Sequence, residues 1–232
     1  MIPKIIHYVW VGGNPKPKNI QRCMKTWHKH LQDYRFMEWS EDNFDLHENK
    51  YIEQAYQAKK WAFVSDYIRA KAVYEYGGIY LDTDVLVLDN LKELLVDRAF
   101  AGFENKDNPF TAVFGAEKKH PLLKDMVDYY DNRNFVFDCS NQLAGVNTLS
   151  VSTILKTKYG AQPNNQEQML KQGIHLYPDG VLCNPSAASK TIHVFTGTWM
   201  EGEKPLKRKL VTALKARIKT PKEASLYARL LR

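Results

Sequence analysis

Asp82 and Asp84 stand two residues apart at the end of the run Gly78-Ile-Tyr-Leu-Asp-Thr-Asp84, and Val85, Leu86 and Val87 follow at once. Side chains alternate along an extended chain, so a continuous strand here points both carboxylates to one face. Two like charges side by side repel. A divalent cation with hard oxygen ligands relieves that repulsion, and a cation so held can grip a diphosphate. The commoner fate of such a pair is a solvated strand end or a turn cap. The helix in front of these acids and the apolar run around them favour the cation.

Other residues could serve the same chemistry. Asp66 and Arg69 lie three apart on the preceding helix, off its apolar stripe; they read either as a surface ion pair or as a fork of donors and acceptors for sugar hydroxyls. Trp10 closes an apolar segment, where it is either a core tryptophan or a plate for a nucleobase. His193 lies in the apolar run Thr191-Ile-His-Val-Phe, a setting more typical of a core histidine than of a ligand. Thr196-Gly197-Thr198-Trp199 follows it, a loop whose N–H groups could meet phosphate oxygens, with Trp199 closing over the site.

The elements that must position these groups follow from periodicity. Trp61, Val64, Ile68, Ala72 and Tyr76 recur at three- and four-residue steps and predict an amphipathic helix with one buried side, ended by Gly77 and Gly78. Ile5 to Val11 predicts a first strand, residues 17–31 a helix, Tyr34 to Trp39 a second strand, and Ser40-Glu41-Asp42 the start of another helix. Strands follow at 100–104 and 110–116, and a helix at 121–130 with Pro at its first turn. Residues 131–172 are rich in Asn and Gln and resist assignment. Alternating strands and helices predict a layered α/β domain with parallel pairing.

The chain has 232 residues, 44% of them hydrophobic, enough for one large domain over 1–203 and a small appendage. Cys23, Cys139 and Cys183 are odd in number and lack C-x-x-C spacing, which argues against a disulfide framework or a cysteine zinc site and fits a reducing cytoplasm. No leader-like start and no membrane-length apolar window is seen, so a cytoplasmic location is expected. The net charge of +7 belongs to the tail: residues 204–232 carry ten Lys or Arg against Glu223 alone, leaving a balance of −2 before them. Leu206, Leu210, Leu214 and Ile218 recur every four residues there, so the tail is either a helix docked on the domain or a basic amphipathic helix on an anionic membrane surface, at the inner face of the membrane.

The segments IPKIIHYVWVGG and SDYIRAKAVYEYGGIYLDTDV, with a late His followed by G-T-W, resemble the D-x-D sugar transferases of glycosyltransferase family 32, which include capsular-polysaccharide transferases and mannosyltransferases and are similar to the catalytic domain of the large glucosylating toxins. The likeness covers about residues 2–90 and 190–200. It implies a GT-A fold with a Rossmann-like nucleotide half, a nucleotide-sugar donor (UDP favoured by the context of Trp10), Mn2+ or Mg2+, retention of configuration, and a glycan, lipid-linked or glycoprotein acceptor. It further implies that Val9 and Trp10 meet the base and that Asp66 and Arg69 hold the ribose or donor sugar. Asp82 would contact ribose and metal, Asp84 and His193 would ligate the metal, and Thr198 and Trp199 would approach the diphosphate. Asp82, Asp84 and Arg69 are the catalytic candidates. The segment Leu143-Ala-Gly-Val-Asn-Thr-Leu149 departs from the family pattern.

Two other classes compete. A haloacid-type phosphohydrolase also uses D-x-D after a strand but expects Thr or Val where Leu86 stands. A non-catalytic module binding RNA or membrane through the tail would show salt-sensitive binding without nucleotide-sugar affinity; no nucleic-acid partner is expected.

Overall fold

The computed structural model describes residues 1–131, 133–137, 147–197 and 205–230; Cys139, Thr198, Trp199 and residues 143–146 lie outside the described residues. In chain order the elements are β1 (Ile5–Val9), α1 (Lys18–His30), β2 (Arg35–Trp39), α2 (Lys50–Gln57), α3 (Trp61–Tyr76), β3 (Gly78–Leu81), β4 (Val85–Val87), β5 (Ala99–Gly102) and β6 (Val113–Ala116). Then come α4 (Pro121–Asp128), α5 (Asn147–Ile154), β7 (Gln168–Leu170), β8 (Ile174–Tyr177), α6 (Asp179–Leu182), β9 (Thr191–His193), α7 (Leu206–Lys215) and α8 (Pro221–Leu230). Seven strands form one sheet in the order β2-β1-β3-β6-β5-β8-β7, and β4 pairs with β9 in a second, two-stranded sheet. β1 runs parallel to β2 and β3, and β5 parallel to β8; β6 is antiparallel to both β3 and β5, and β7 to β8. Five of the seven strands therefore point one way, and helices cover the sheet: the mostly parallel α/β layering that the alternating pattern predicts.

Helix α3 has the predicted limits, and Gly77 ends it with φ 67°, its N–H bonded to the Val73 carbonyl. Gly78 has φ 115°, and a Cβ there would stand 2.7 Å from the Ile5 carbonyl oxygen, so only glycine lets β3 lie this close to β1. The helix is not one-sided, however. Phe63, Tyr67, Ala70 and Val73 are buried along with Val64, Ile68 and Ala72, because α2, α4, β1, β3 and β6 all pack on α3. Asp66 and Arg69 on this helix are consequently enclosed rather than solvated.

The strand expected to run through the two aspartates is broken. β3 stops at Leu81, the chain turns with the Val85 N–H donating to the Asp82 carbonyl at 3.0 Å, and β4 enters the small sheet. The helix expected from Ser40 is also absent. There the Ser40 Oγ accepts from the Asp42 N–H and Asn43 Oδ1 from the Ser40 N–H, local bonds that compete with helix formation; α2 starts only at Lys50, capped by Asn49. Within the unassigned 131–172 stretch, α5 runs into a π-helical turn, Leu155–Tyr159, which ends at Gly160 with φ 87°.

His7 locks β1 to its neighbours. Fully buried, it donates from Nε2 to the Gly77 carbonyl at 2.8 Å and accepts at Nδ1 from the Trp39 indole at 3.1 Å, which is the neutral tautomer. Burial lowers its pKa to about 4 from 6.5. The unfolded chain takes up this proton below 6.5 and the folded chain only below about 4, so stability falls as the pH drops across that window. The expected loss from this group is roughly 3 kcal/mol, read by urea unfolding between pH 7 and 4. His7→Gln should lack that component, and an unchanged pH dependence in the variant would assign it elsewhere.

Candidate active site at the carboxyl edge of the sheet

The register of β1 against β3, Ile6 opposite Ile79 and His7 opposite Tyr80, brings the ends of both strands to one edge of the sheet. Val9 ends β1 there and Trp10 follows it, Asp82 follows β3, and Glu104 follows the co-directional β5. Ligands of open α/β sheets bind at this edge.

Asp84 and His193 meet because β4 and β9 pair antiparallel, with Val85 opposite His193 and the Val194 N–H donating to the Asp84 carbonyl at 3.1 Å. Asp84 Oδ2 accepts from the Thr196 N–H at 2.8 Å and its hydroxyl at 2.9 Å; Oδ1 faces His193 Nε2 at 3.3 Å. Burial alone would raise the Asp84 pKa, but the His193 imidazolium and the two Thr196 donors hold it at about 2. Burial pushes His193 down, and the Asp84 carboxylate overrules it, raising the imidazole well above its ordinary value. The Thr196 N–H, expected to face phosphate, is thus committed to Asp84.

Asp82 belongs to a second array. Its Oδ1 accepts from the Tyr80 hydroxyl at 2.9 Å and lies 3.2 Å from Arg69 Nη1, while Arg69 Nη2 lies 2.8 Å from Asp66 Oδ1 and the guanidinium covers the Tyr80 ring at 4.8 Å. Asp66 and Arg69 are 5% and 8% exposed, which excludes the surface ion pair. Burial pushes the Asp66 carboxyl up to about 7; Arg69 opposes the shift and Asp82 adds to it.

The two arrays converge: Asp82, Asp84 and His193 each offer a ligand atom within 4.8 Å of one another. Two carboxylates and one imidazole suit a divalent cation that accepts oxygen and nitrogen, the ion displacing the proton that His193 carries beside Asp84. Ligands on opposite sides of an ion at about 2.2 Å stand about 4.4 Å apart, so small side-chain rotations close this set.

Trp10 is not a core residue. It is partly exposed, with its indole N–H donating to the Asn14 carbonyl at 2.6 Å and the Lys16 ammonium 5.7 Å from its ring. Val9 by contrast has its side chain in the core.

Three further residues shape the site. The Glu104 carboxyl, raised by burial, feels His193 and Asp82, and its Oε2 lies 3.5 Å from the Thr148 hydroxyl. Its signal in the sequence is a lone acid directly after the apolar run Ala99 to Phe103, the same cue that marks Asp82. Phe195 takes φ 59°, a strained value for an aromatic residue, with its ring 3.8 Å from that of His193. Lys215, at the end of α7 and only 8% exposed, reaches the His193 carbonyl and Asn184 Oδ1 at 3.4 Å each and lies 4.8 Å from the Phe195 ring. Nothing local in the sequence marks a tail lysine as a partner of that loop.

The chain is 28% identical over 136 residues to an uncharacterized glycosyltransferase of Acanthamoeba polyphaga mimivirus, covering 53% of each. It is 28% identical over 134 residues, 54% of its length, to inositol phosphoceramide mannosyltransferase 3 of Schizosaccharomyces pombe, of which it covers 36%. The chain thus spans about half the length of the first relative and less of the second. Among solved structures, a glycosyltransferase involved in the glycosylation of the major capsid of PBCV-1 superposes with a TM-score of 0.49 at 12% identity, over 93% of this chain and 100% of that one. Residues 17–101 match the family model described as the glycosyltransferase sugar-binding region containing the DXD motif, and Asp82 with Asp84 supplies that motif.

Proposed function

We propose that the chain is a metal-dependent, retaining glycosyltransferase that moves a hexose or N-acetylhexosamine from a nucleotide sugar, UDP-linked by preference, to a glycan, lipid-linked or protein-linked acceptor. The observation that carries this is the convergence of Asp82, Asp84 and His193 at the sheet edge that also presents Trp10, with both aspartates inside the matched sugar-binding region. One named relative is a mannosyltransferase acting on inositol phosphoceramide, which keeps a lipid-linked acceptor in view.

Asp84 and His193 would hold Mn2+ or Mg2+, with Asp82 beside them; when bound, such an ion neutralises charge on the departing diphosphate. Thr196 fixes one oxygen of Asp84 and leaves the other facing His193. Arg69, pinned between Asp66 and Asp82, orients Asp82 and holds its charge beside the ribose or donor sugar. Trp10 carries the base, with the Val9 backbone beside it, and Thr198 and Trp199 would approach the diphosphate. Glu104 is placed to accept a hydrogen bond from a sugar hydroxyl. Retention fits attack from the face of the departing group, the acceptor hydroxyl passing its proton to the leaving phosphate. Residues 1–203 form the catalytic domain in this reading, with 204–232 as its basic tail.

Mn2+ together with UDP should stabilise the protein by about 2.7 kcal/mol at a hundredfold excess over Kd, a rise of roughly 5–10 °C in Tm. Neither should act alone to that extent. Thermal shift across UDP, GDP and their sugars checks this, with chelator as the reversal; no shift with any metal and nucleotide pair would overturn the proposal.

A further inference from the structure

We propose that α7, α8 and the basic face of α1 form a docking surface for an anionic lipid bilayer, and that docking holds the sheet edge described above beside the membrane, toward an acceptor carried in it. The tail is packed on the domain: Ile218 and Ala224 are buried with Cys23, Leu86, Leu88, Ile192 and Val194, and Tyr227 lies against them. Those contacts leave most of the tail's leucines outside. Leu206, Leu210 and Leu214 are 83%, 60% and 38% exposed, and Leu226 and Leu230 57% and 73%. Each set recurs every four residues, so each helix turns an apolar stripe outward. A helix that only covers its own domain would bury its stripe.

Charge decides among occupants. Within 205–230, Lys207, Arg208, Lys209, Arg217, Lys219, Lys222 and Arg229 accompany these stripes, with Glu223 the sole acid. On α1, Lys18, Arg22 and Lys25 line the same groove as Ala216 of the tail, so the cationic surface continues onto the domain. A second copy pairing through the same face would bring the same positive charge and be repelled. Nucleic acid would answer the charge but leave the leucines unused. An anionic bilayer uses both, its headgroups meeting the cations and its acyl boundary taking the leucines. Among the described residues no helix is long and apolar enough to cross a membrane.

The same helix links this surface to the candidate site. Lys215 ends α7 against the His193 carbonyl, while Leu206 to Leu214 display the stripe along a helix about 15 Å long. The acceptor half of the inference rests on the glycosyltransferase reading; the docking half does not.

Co-sedimentation with vesicles tests the docking. The full chain should bind vesicles of equal phosphatidylglycerol and phosphatidylcholine, release them in high salt, and bind pure phosphatidylcholine vesicles at least about tenfold more weakly. The exposed double substitution Leu206→Glu with Leu210→Glu should weaken binding by at least about tenfold while leaving the melting temperature unchanged. Wild-type binding in that variant, equal binding to neutral vesicles, no binding at all, or a leucine-dependent dimer in light scattering would each overturn the proposal. Asp84→Asn should bind vesicles normally, so a failure of the transferase reading leaves this result standing. With radiolabelled UDP-sugars and a total lipid extract, label should enter the lipid fraction with the wild type and not with the double variant. Metal-dependent donor hydrolysis should persist in the variant; label entering lipid equally in both would overturn the acceptor half.

Discussion

Asp84→Asn is expected to lower metal-dependent turnover of the donor on the order of a thousandfold while the protein stays folded. The amide oxygen can still accept from the Thr196 N–H and hydroxyl, so the loop after β9 keeps its anchor. What disappears is the negative charge that faces His193 across 3.3 Å and completes the three-residue set. Asp84→Ala is a poorer probe, because it also strips a buried Thr196 N–H of its acceptor, a cost of about 1–3 kcal/mol on its own. Donor hydrolysis in Mn2+, with a thermal melt as the control for folding, separates the two variants. Near-normal turnover in a folded Asp84→Asn protein would take Asp84 out of the catalytic centre.

Arg69→Met should cost about 3–5 kcal/mol of stability and abolish donor binding. The guanidinium is the shared cation of two carboxylates, at 2.8 Å from Asp66 and 3.2 Å from Asp82, and lies over the Tyr80 ring. Asp66 already titrates near 7, so in the variant it escapes part of the penalty by staying protonated. The stability loss should therefore grow as the pH rises above neutrality, when ionisation of Asp66 is opposed without compensation. Arg69→Lys is not a rescue, since a point charge cannot reproduce a fork that reaches two acids. Urea unfolding at pH 6 and pH 8 measures the difference. A loss under about 1 kcal/mol, equal at both, would mean that water rather than Arg69 stabilises these acids.

Local pattern made some of this legible and long-range register decided the rest. The limits of α3 follow from its periodicity and the two glycines after it, and both hold to the residue. Asp82 and Asp84 were identifiable by type and spacing, yet alternation along one strand is not what brings them together; a turn between two sheets does so. That turn depends on Val85 pairing with His193, more than a hundred residues away. Asp66 and Arg69 stand out in the sequence as polar residues on a helix, but burial of α3 from several sides comes from partners that its own sequence does not encode. Lys215 is illegible for the same reason, since its relevance appears only once the tail is in place, whereas Glu104 carries the cue of a lone acid after an apolar run. Around Ser40 the failure was local: short polar side chains satisfied the backbone that a helix would have used.

The turn at 82–84 joins two sheets that share no strand ladder. Asp82 leaves the seven-stranded sheet and His193 ends a strand of the small one, so an ion gripping both would act as a rivet across a seam. Anything that loosens the small sheet, including loss of the tail helix that supports Leu86 and Ile192, would spread the rivet holes while the ends of β1 and β3 stayed in place. Under the proposed metal assignment, holding the cation and holding the two sheets in alignment would be one act.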